Sequence, residues 1–258
     1  MCLCISWAPP ITRSRATKLR GINVVNASVQ AISFSSMVWV FVPVALVIAI
    51  LMRWTSVGRT AVYAVVRMLI QLLLIGYVLV FIFDSDKPWI IVSVLTVMLM
   101  AASVIAIRPI RSKGPTVLRN AFVAIFIGGV LTLALVTQVV IGIEPWFLPR
   151  YMVPLAGMVF SGSMNAVSLA AERLESELAR SVDFAEARAT ALNAALIPMI
   201  NSLFAVGLVS LPGMMTGQIL SGVSPVVAAK YQIVVMCMFF GAAGMSASIY
   251  LSLARQRQ

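Results

Sequence analysis

The stretch AVYAVVRMLIQLLLIGYVLVFIF, residues 61–83, holds a single charge, Arg67. It is longer than the roughly 20 residues a helix needs to cross the hydrocarbon of a bilayer. Outward from it the pattern repeats: apolar runs at 31–52, 89–107, 121–143, 151–170, 194–211 and 231–253 complete seven predicted spans. All are expected to be helices, because lipid offers backbone N–H and C=O groups no partner outside their own segment. The composition agrees, with 61% hydrophobic residues, 10% charged residues and a mean hydropathy of +1.03. An ordinary soluble domain carries about 25% charged residues. The fold class is therefore all-α, a polytopic membrane protein. One stretch, 212–230, is apolar but interrupted by Pro212, Gly213, Gly217, Gly222 and Pro225, and reads as a broken or re-entrant segment. Such backbone is tolerated at membrane depth only where protein buries it or a cavity solvates it.

Composition also excludes chemistry. With no His in the chain, imidazole bases, ligands and pH switches are absent. Cys2, Cys4 and Cys237 are too scattered for a disulfide framework or a zinc site, so no metal site is assigned. No G-x-x-x-x-G-K-[ST] occurs, so ATP is not bound through that loop. A net charge of +11 in a soluble protein would suggest nucleic acid; here it fits basic loops beside a lipid bilayer. Residues 1–30, with Arg13, Arg15, Lys18 and Arg20 and no acid, read as a disordered tail, a targeting sequence or a misassigned start.

The basic residues orient the spans. Arg53, Arg59, Arg108, Arg111, Lys113, Arg119, Arg173, Arg180, Arg188, Arg255 and Arg257 all fall in loops on one side of seven spans. The opposite loops hold Lys87, Arg150 and Lys230. The positive-inside rule then expects a cytoplasmic C-terminal tail at 254–258 and a transmembrane domain at 31–253. The basic residues of the N-terminal tail dissent from that orientation.

Function has few places to reside. The predicted cytoplasmic segment AERLESELARSVDFAEARATALN, residues 171–193, carries Glu172, Glu175, Glu177, Asp183 and Glu186, five of the eight acids. Leu174, Leu178 and Val182 recur at four-residue spacing, which predicts a short amphipathic helix between two spans. It suits docking to a soluble partner. It equally suits a solvated helix held by Arg173–Glu177 and Glu177–Arg180 pairs of about 0.2–0.5 kcal/mol each. Within the spans, Arg67 and Gln71 share a helix face, facing a pathway or snorkelling to the interface. Asn165, Asn201 and Gln218 are further pathway or packing groups. Gly213-x-x-x-Gly217 and Gly157-x-x-x-Ser161 predict close helix packing. Met214 and Met215 read as flexible apolar filler rather than metal ligands.

The run GLVSLPGMMTGQILSGVSPVVAAKYQIVV, residues 207–235, closely resembles the signature of the FetB-like ABC-transporter permeases. That family includes a bacterial iron-export permease and plant aluminium-tolerance membrane subunits. Its recognisable residues here are Leu211, Pro212, Gly213, Met214, Met215, Gly217, Lys230, Tyr231 and Gln232. VVRMLIQLLLIGYVLVFIF (65–83), VPLAGMVFSGSMNAV (153–167) and AALIP (194–198) follow the family order, so the resemblance covers residues 35–253. It implies a membrane subunit in a bacterial inner (plasma) membrane, exporting iron or another metal-related solute. The subunit would work as a permease homodimer with a separate ATP-binding subunit. This chain would carry no cofactor, ATP and Mg being bound by that partner. The acids of 171–193 become a coupling helix for the ATPase groove.

Departures from the family pattern lie at SVDFAEA (181–187), where a glycine-containing turn is usual, and at Asn201 and Phe204, where bacterial members carry Asp and Lys. Losing both charges together is the signature of a lost ion pair. The competing class is a gradient-driven secondary transporter or channel, which commonly places ionisable residues near the midplane. No Asp, Glu or His falls in a predicted span. An intramembrane enzyme is disfavoured because its Ser and Asn residues have no evident base.

Overall fold

The structure, a computed structural model, describes residues 33–84, 87–111 and 113–255. The N-terminal tail at 1–30 and Arg257 lie outside these residues. Among the described residues the elements are α1 (Phe34–Val38), α2 (Phe41–Trp54), α3 (Gly58–Phe83), α4 (Pro88–Ala106), α5 (Pro115–Ile125), α6 (Leu131–Ala134), α7 (Pro149–Leu178), α8 (Phe184–Ala205), α9 (Gly213–Leu220) and α10 (Pro225–Ala254). Two π-helical turns, Phe126–Val130 and Leu135–Val140, join α5 and α6 into one rod reaching Val140. The protein is a polytopic, all-α membrane protein.

Proline sets the start of four long helices. Pro88, Pro115, Pro149 and Pro225 each open their helix. At that position the missing N–H costs nothing and the fixed φ is already helical. Two buried hydroxyls inside the spans are satisfied by their own helix: Ser103 Oγ donates to Leu99 O and Thr137 Oγ1 to Leu133 O, both at 2.8 Å. This is the cheapest arrangement where no water competes.

Six helical stretches are long and apolar enough to cross a membrane: Ser35–Trp54, Gly58–Phe83, Pro88–Ala106, Pro115–Val140, Pro149–Leu178 and Pro225–Ala254. The predicted seventh, at 194–211, is instead α8, which begins at Phe184 inside the supposed loop and carries Glu186, Arg188, Asn193 and Asn201. Connectivity gives α8 the return path. The end of α7 is tied to the α4–α5 loop by Arg111 N–H donating to Glu175 Oε2, 2.9 Å. The end of α10 meets the start of α5, where Asn120 Nδ2 donates to Leu253 O. Helices α7 and α10 thus finish at one end of the bundle, and the chain between them must travel back. At 22 residues, α8 is about 33 Å long, enough for that distance.

The chain divides at Leu46 into two compact units. The described part of the first holds α1 and the opening of α2. The second, from Val47, holds the core in two clusters. One joins α4, the α5–α6 rod, α7 and α10 through Ile91, Ile125, Leu155, Val159 and Met238. The other is a seam of alanines: Ala166 and Ala170 of α7, Ala187, Ala191 and Ala195 of α8, and Ala243 and Ala247 of α10, all fully buried. Small side chains at four-residue spacing let backbones approach closely where lipid supplies no hydrophobic drive. In contrast, α3 buries only Gly58 and Ile82 and is apolar around nearly its whole circumference, as suits a lipid-surrounded helix.

The expected close packing at Gly213–Gly217 is absent: a Cβ at either position meets nothing within 4 Å. A Cβ added at Gly157 would meet Met98 Cε at an ordinary 3.5 Å. The tight approach falls at Gly128, in the first π-helical turn, whose Cβ would lie 2.7 Å from Ser246 N and 3.0 Å from Ser246 Cα of α10. Beside it Gly129 faces Val159 and Phe160 of α7. The rod is clamped between α7 and α10 where it is π-helical.

Candidate functional site

The acidic segment is not a separate amphipathic helix. Residues 171–178 are the last turns of α7, residues 179–183 form a tight turn, and 184–193 open α8. The turn closes by paired bonds from Ser181 N to Leu178 O (3.0 Å) and Val182 N to Glu177 O (3.3 Å). These are the bonds of a Schellman turn, which needs a left-handed residue. Ser181 fills that position at φ 61°, the one described non-glycine residue with positive φ. Leu174, Leu178 and Val182 do share one apolar environment, packing against the alanine seam.

The five acids separate into roles that burial decides. Glu177 has a side chain 8% exposed and pairs with Arg173 Nη2 at 2.5 Å and with Arg180 Nη1 at 3.9 Å. It staples its own helix end. Asp183 caps α8, accepting from Ala185 N at 2.9 Å, which satisfies one of the orphan donors at a helix start. Glu175 accepts from the Arg111 backbone. Glu172 and Glu186 are exposed on the two sides of the tip. Glu172 and Glu175 line a hollow of about 310 Å³ with Arg111 and Arg180. Acidic tip and basic loop therefore occupy the same end of the bundle.

Arg67 and Gln71 come together as their spacing implied. They line a cleft of about 540 Å³ between α3, α4 and the α4–α5 loop. Tyr63 precedes them at the same four-residue spacing, and Arg108 and Lys113 join from the loop. The sequence shows the i, i+4, i+8 stripe on α3, whereas the convergence of two loop cations on it required the tertiary structure. Among the described residues no acid lines the cleft.

Asn165, Asn201 and Gln218 do not line it. Asn165 and Asn201 sit exposed on α7 and α8, as does Phe204, and Gln218 lies half-buried on α9 with its Oε1 lacking a hydrogen-bond partner. The signature residues divide between two elements. Leu211 and Pro212 precede α9, Gly213, Met214, Met215 and Gly217 belong to it, and Lys230, Tyr231 and Gln232 lie on α10, which begins at Pro225 rather than at 231. The broken segment is thus a short helix and a turn. Met214 packs against the main core. Lys230 and Tyr231 line a cavity of about 200 Å³ with Val140 and Val234. Gln232 is buried at 5% exposure with Oε1 unpartnered. Among the described residues no three His, Cys, Asp or Glu side chains cluster as metal ligands would.

A family model described as "Uncharacterised protein family (UPF0014)" matches residues 33–258. The chain is similar to UPF0014 membrane protein slr1647 of Synechocystis, 34% identical over 72% of this chain and 78% of that protein. It is similar to Protein ALUMINUM SENSITIVE 3 of Arabidopsis thaliana, 35% identical over 76% of this chain and 77% of that one. It is also similar to the "Probable iron export permease protein FetB" of Escherichia coli, 32% identical over 75% of this chain and 79% of that one. No solved structure matches the chain.

Proposed function

The chain belongs to the UPF0014 family of membrane proteins, and on that premise we propose that it is the membrane-spanning permease subunit of an ABC transporter. The observation that carries the reading is the α7–α8 tip. It is acidic and exposed at Glu172 and Glu186, and it is held stiff by the Glu177 pairs, the Asp183 cap and the Arg111–Glu175 bond. Its two arms run without a break into helices of 30 and 22 residues. A push on such a tip is carried into both helices through unbroken turns, as far as Pro198 in α8 and Pro154 in α7.

The push comes from a separate ATP-binding subunit, which binds ATP and Mg. Two permeases and two ATPases make the working unit, in a bacterial inner membrane with the C-terminus cytoplasmic. Closure of the ATPases on ATP swings the α7–α8 pair against α10 and exchanges inward for outward access. The solute is iron or another metal-related species, and its direction is export. The name borne by the Escherichia coli relative supports this assignment.

The test is co-purification with a co-expressed ATPase, followed by ATP hydrolysis in lipid titrated with Fe(II), other metals and sugar nucleotides. A stable complex stimulated by one solute is the expected result and identifies that solute. If no ATPase is retained, the ABC reading falls and a gradient-driven carrier takes its place.

A further inference from the structure

We propose that the cleft at Arg67 is a binding site for an anionic phospholipid of the leaflet at the basic end of the bundle. The inference goes beyond the permease reading and stands on the shape and charge of the cleft alone. Three cations, Arg67, Arg108 and Lys113, line it, with no acid among the described residues to neutralise them. A metal cation entering it would meet only like charge, whereas a phosphate would find three donors and full charge complementarity.

A second cavity makes the ligand amphipathic. Arg67, Ala101, Val104 and Ile105 also line a groove of about 420 Å³, which continues past Thr96, Val97 and Met100 of α4. Arg67 thus stands where a cationic pocket passes into an apolar channel. It lies nine residues into α3, about 13 Å along the axis from Gly58, which places it below the helix end but within reach of the interface by snorkelling. Gln71, one turn deeper, offers an amide donor where a lipid's ester carbonyls lie, and Tyr63 is an aromatic of the interfacial type. A free phosphate would use the cations and leave the groove unused. The sequence of phosphate site, ester-level donor and apolar groove is that of a phospholipid from headgroup to acyl chain.

Native mass spectrometry of the full chain, released from detergent and titrated with phosphatidylglycerol or phosphatidylcholine of matched chains, tests this without any ATPase. A failed ATPase complex therefore leaves the result readable. Wild type is expected to favour phosphatidylglycerol by about tenfold or more, a cation near the membrane surface contributing about fivefold each. Arg67→Gln, Arg108→Gln and Lys113→Gln together should reduce the preference to about twofold or less. The same charge removed as Arg53→Gln, Arg59→Gln and Arg119→Gln should leave it in place. Ala101→Trp, which fills the groove, should weaken binding with the three cations intact, and inorganic phosphate should not compete. Helical circular dichroism checks each variant, and Arg108→Gln alone, at an exposed loop position, serves if the triple variant fails to fold. Equal affinity for the two lipids, equal loss in the control triple, or displacement by inorganic phosphate would each overturn the proposal, the last in favour of a soluble-anion site.

Discussion

The Arg111 backbone N–H donates to Glu175 Oε2 at 2.9 Å across a sequence separation of 64 residues. Through that bond the basic α4–α5 loop and the acidic α7–α8 tip become one rigid end of the bundle. Replacing Glu175 with Ala removes the acceptor, whereas Gln keeps an oxygen in place. A hydrogen bond to a charged group at an exposed site contributes about 1 kcal/mol, which corresponds to roughly fivefold faster opening. Hydrogen exchange over residues 107–114 should therefore rise about that much in Glu175→Ala and stay near wild type in Glu175→Gln. Identical protection in all three proteins would show that the bond does not hold the loop.

Ser181 sits at φ 61°, where a side chain crowds its own backbone and glycine does not. The position falls in the stretch where the family resemblance puts a glycine-containing turn. Ser181→Gly should stabilise the tip by about 0.5–1 kcal/mol, the relief of strain exceeding glycine's entropy cost. Thermal unfolding in detergent would read this as a higher midpoint. A lower midpoint would mean that the serine side chain contributes more than its backbone conformation costs.

Glycine pairs give a contrast. A methyl at Gly128 would run into the α10 backbone at Ser246, which cannot step aside, so Gly128→Ala should cost about 1–3 kcal/mol. Gly217→Ala, on α9 with open space at its Cβ, should be neutral or gain up to about 1 kcal/mol. The unfolding midpoint should fall in Gly128→Ala and hold or rise in Gly217→Ala. Equal losses would return the packing role to the Gly213–Gly217 motif.

Arg173→Gln leaves the buried Glu177 carboxylate with only the 3.9 Å contact to Arg180. The expected loss is about 1–3 kcal/mol, because an under-paired buried charge costs more than its pair contributed. Adding Glu177→Gln should restore part of it. A double-mutant cycle that shows simple additivity would remove the pair from the account of the tip's stiffness.

Glu172 and Glu186 are exposed at the tip and, unlike the exposed Asp183, do not cap a helix, so reversing both to Lys should weaken co-purification of an ATPase while membrane insertion is unchanged. Reversing Glu177 would confound the experiment, because that residue holds the tip together. Unaltered recovery of the ATPase with both reversals in place would end the docking role of these acids.

By itself, the sequence was sufficient for the fold class. Apolar runs longer than a bilayer is thick leave the backbone no choice but helix, as at 61–83, whatever the neighbours do. The Arg173–Glu177 and Arg67–Gln71 relationships were equally legible, since helical spacing alone sets them. The limits of α8 were not, because an alanine-rich helix with Glu186, Arg188 and two asparagines has too weak an apolar signal; its place comes from packing against α7 and α10. Nor could spacing separate Gly128 from Gly217, since a small residue matters only where another backbone arrives. Arg108 and Lys113 read as loop charges until the fold carried them to Arg67. Local periodicity is written in the order of residues, whereas convergence is decided by which faces the helices turn toward one another.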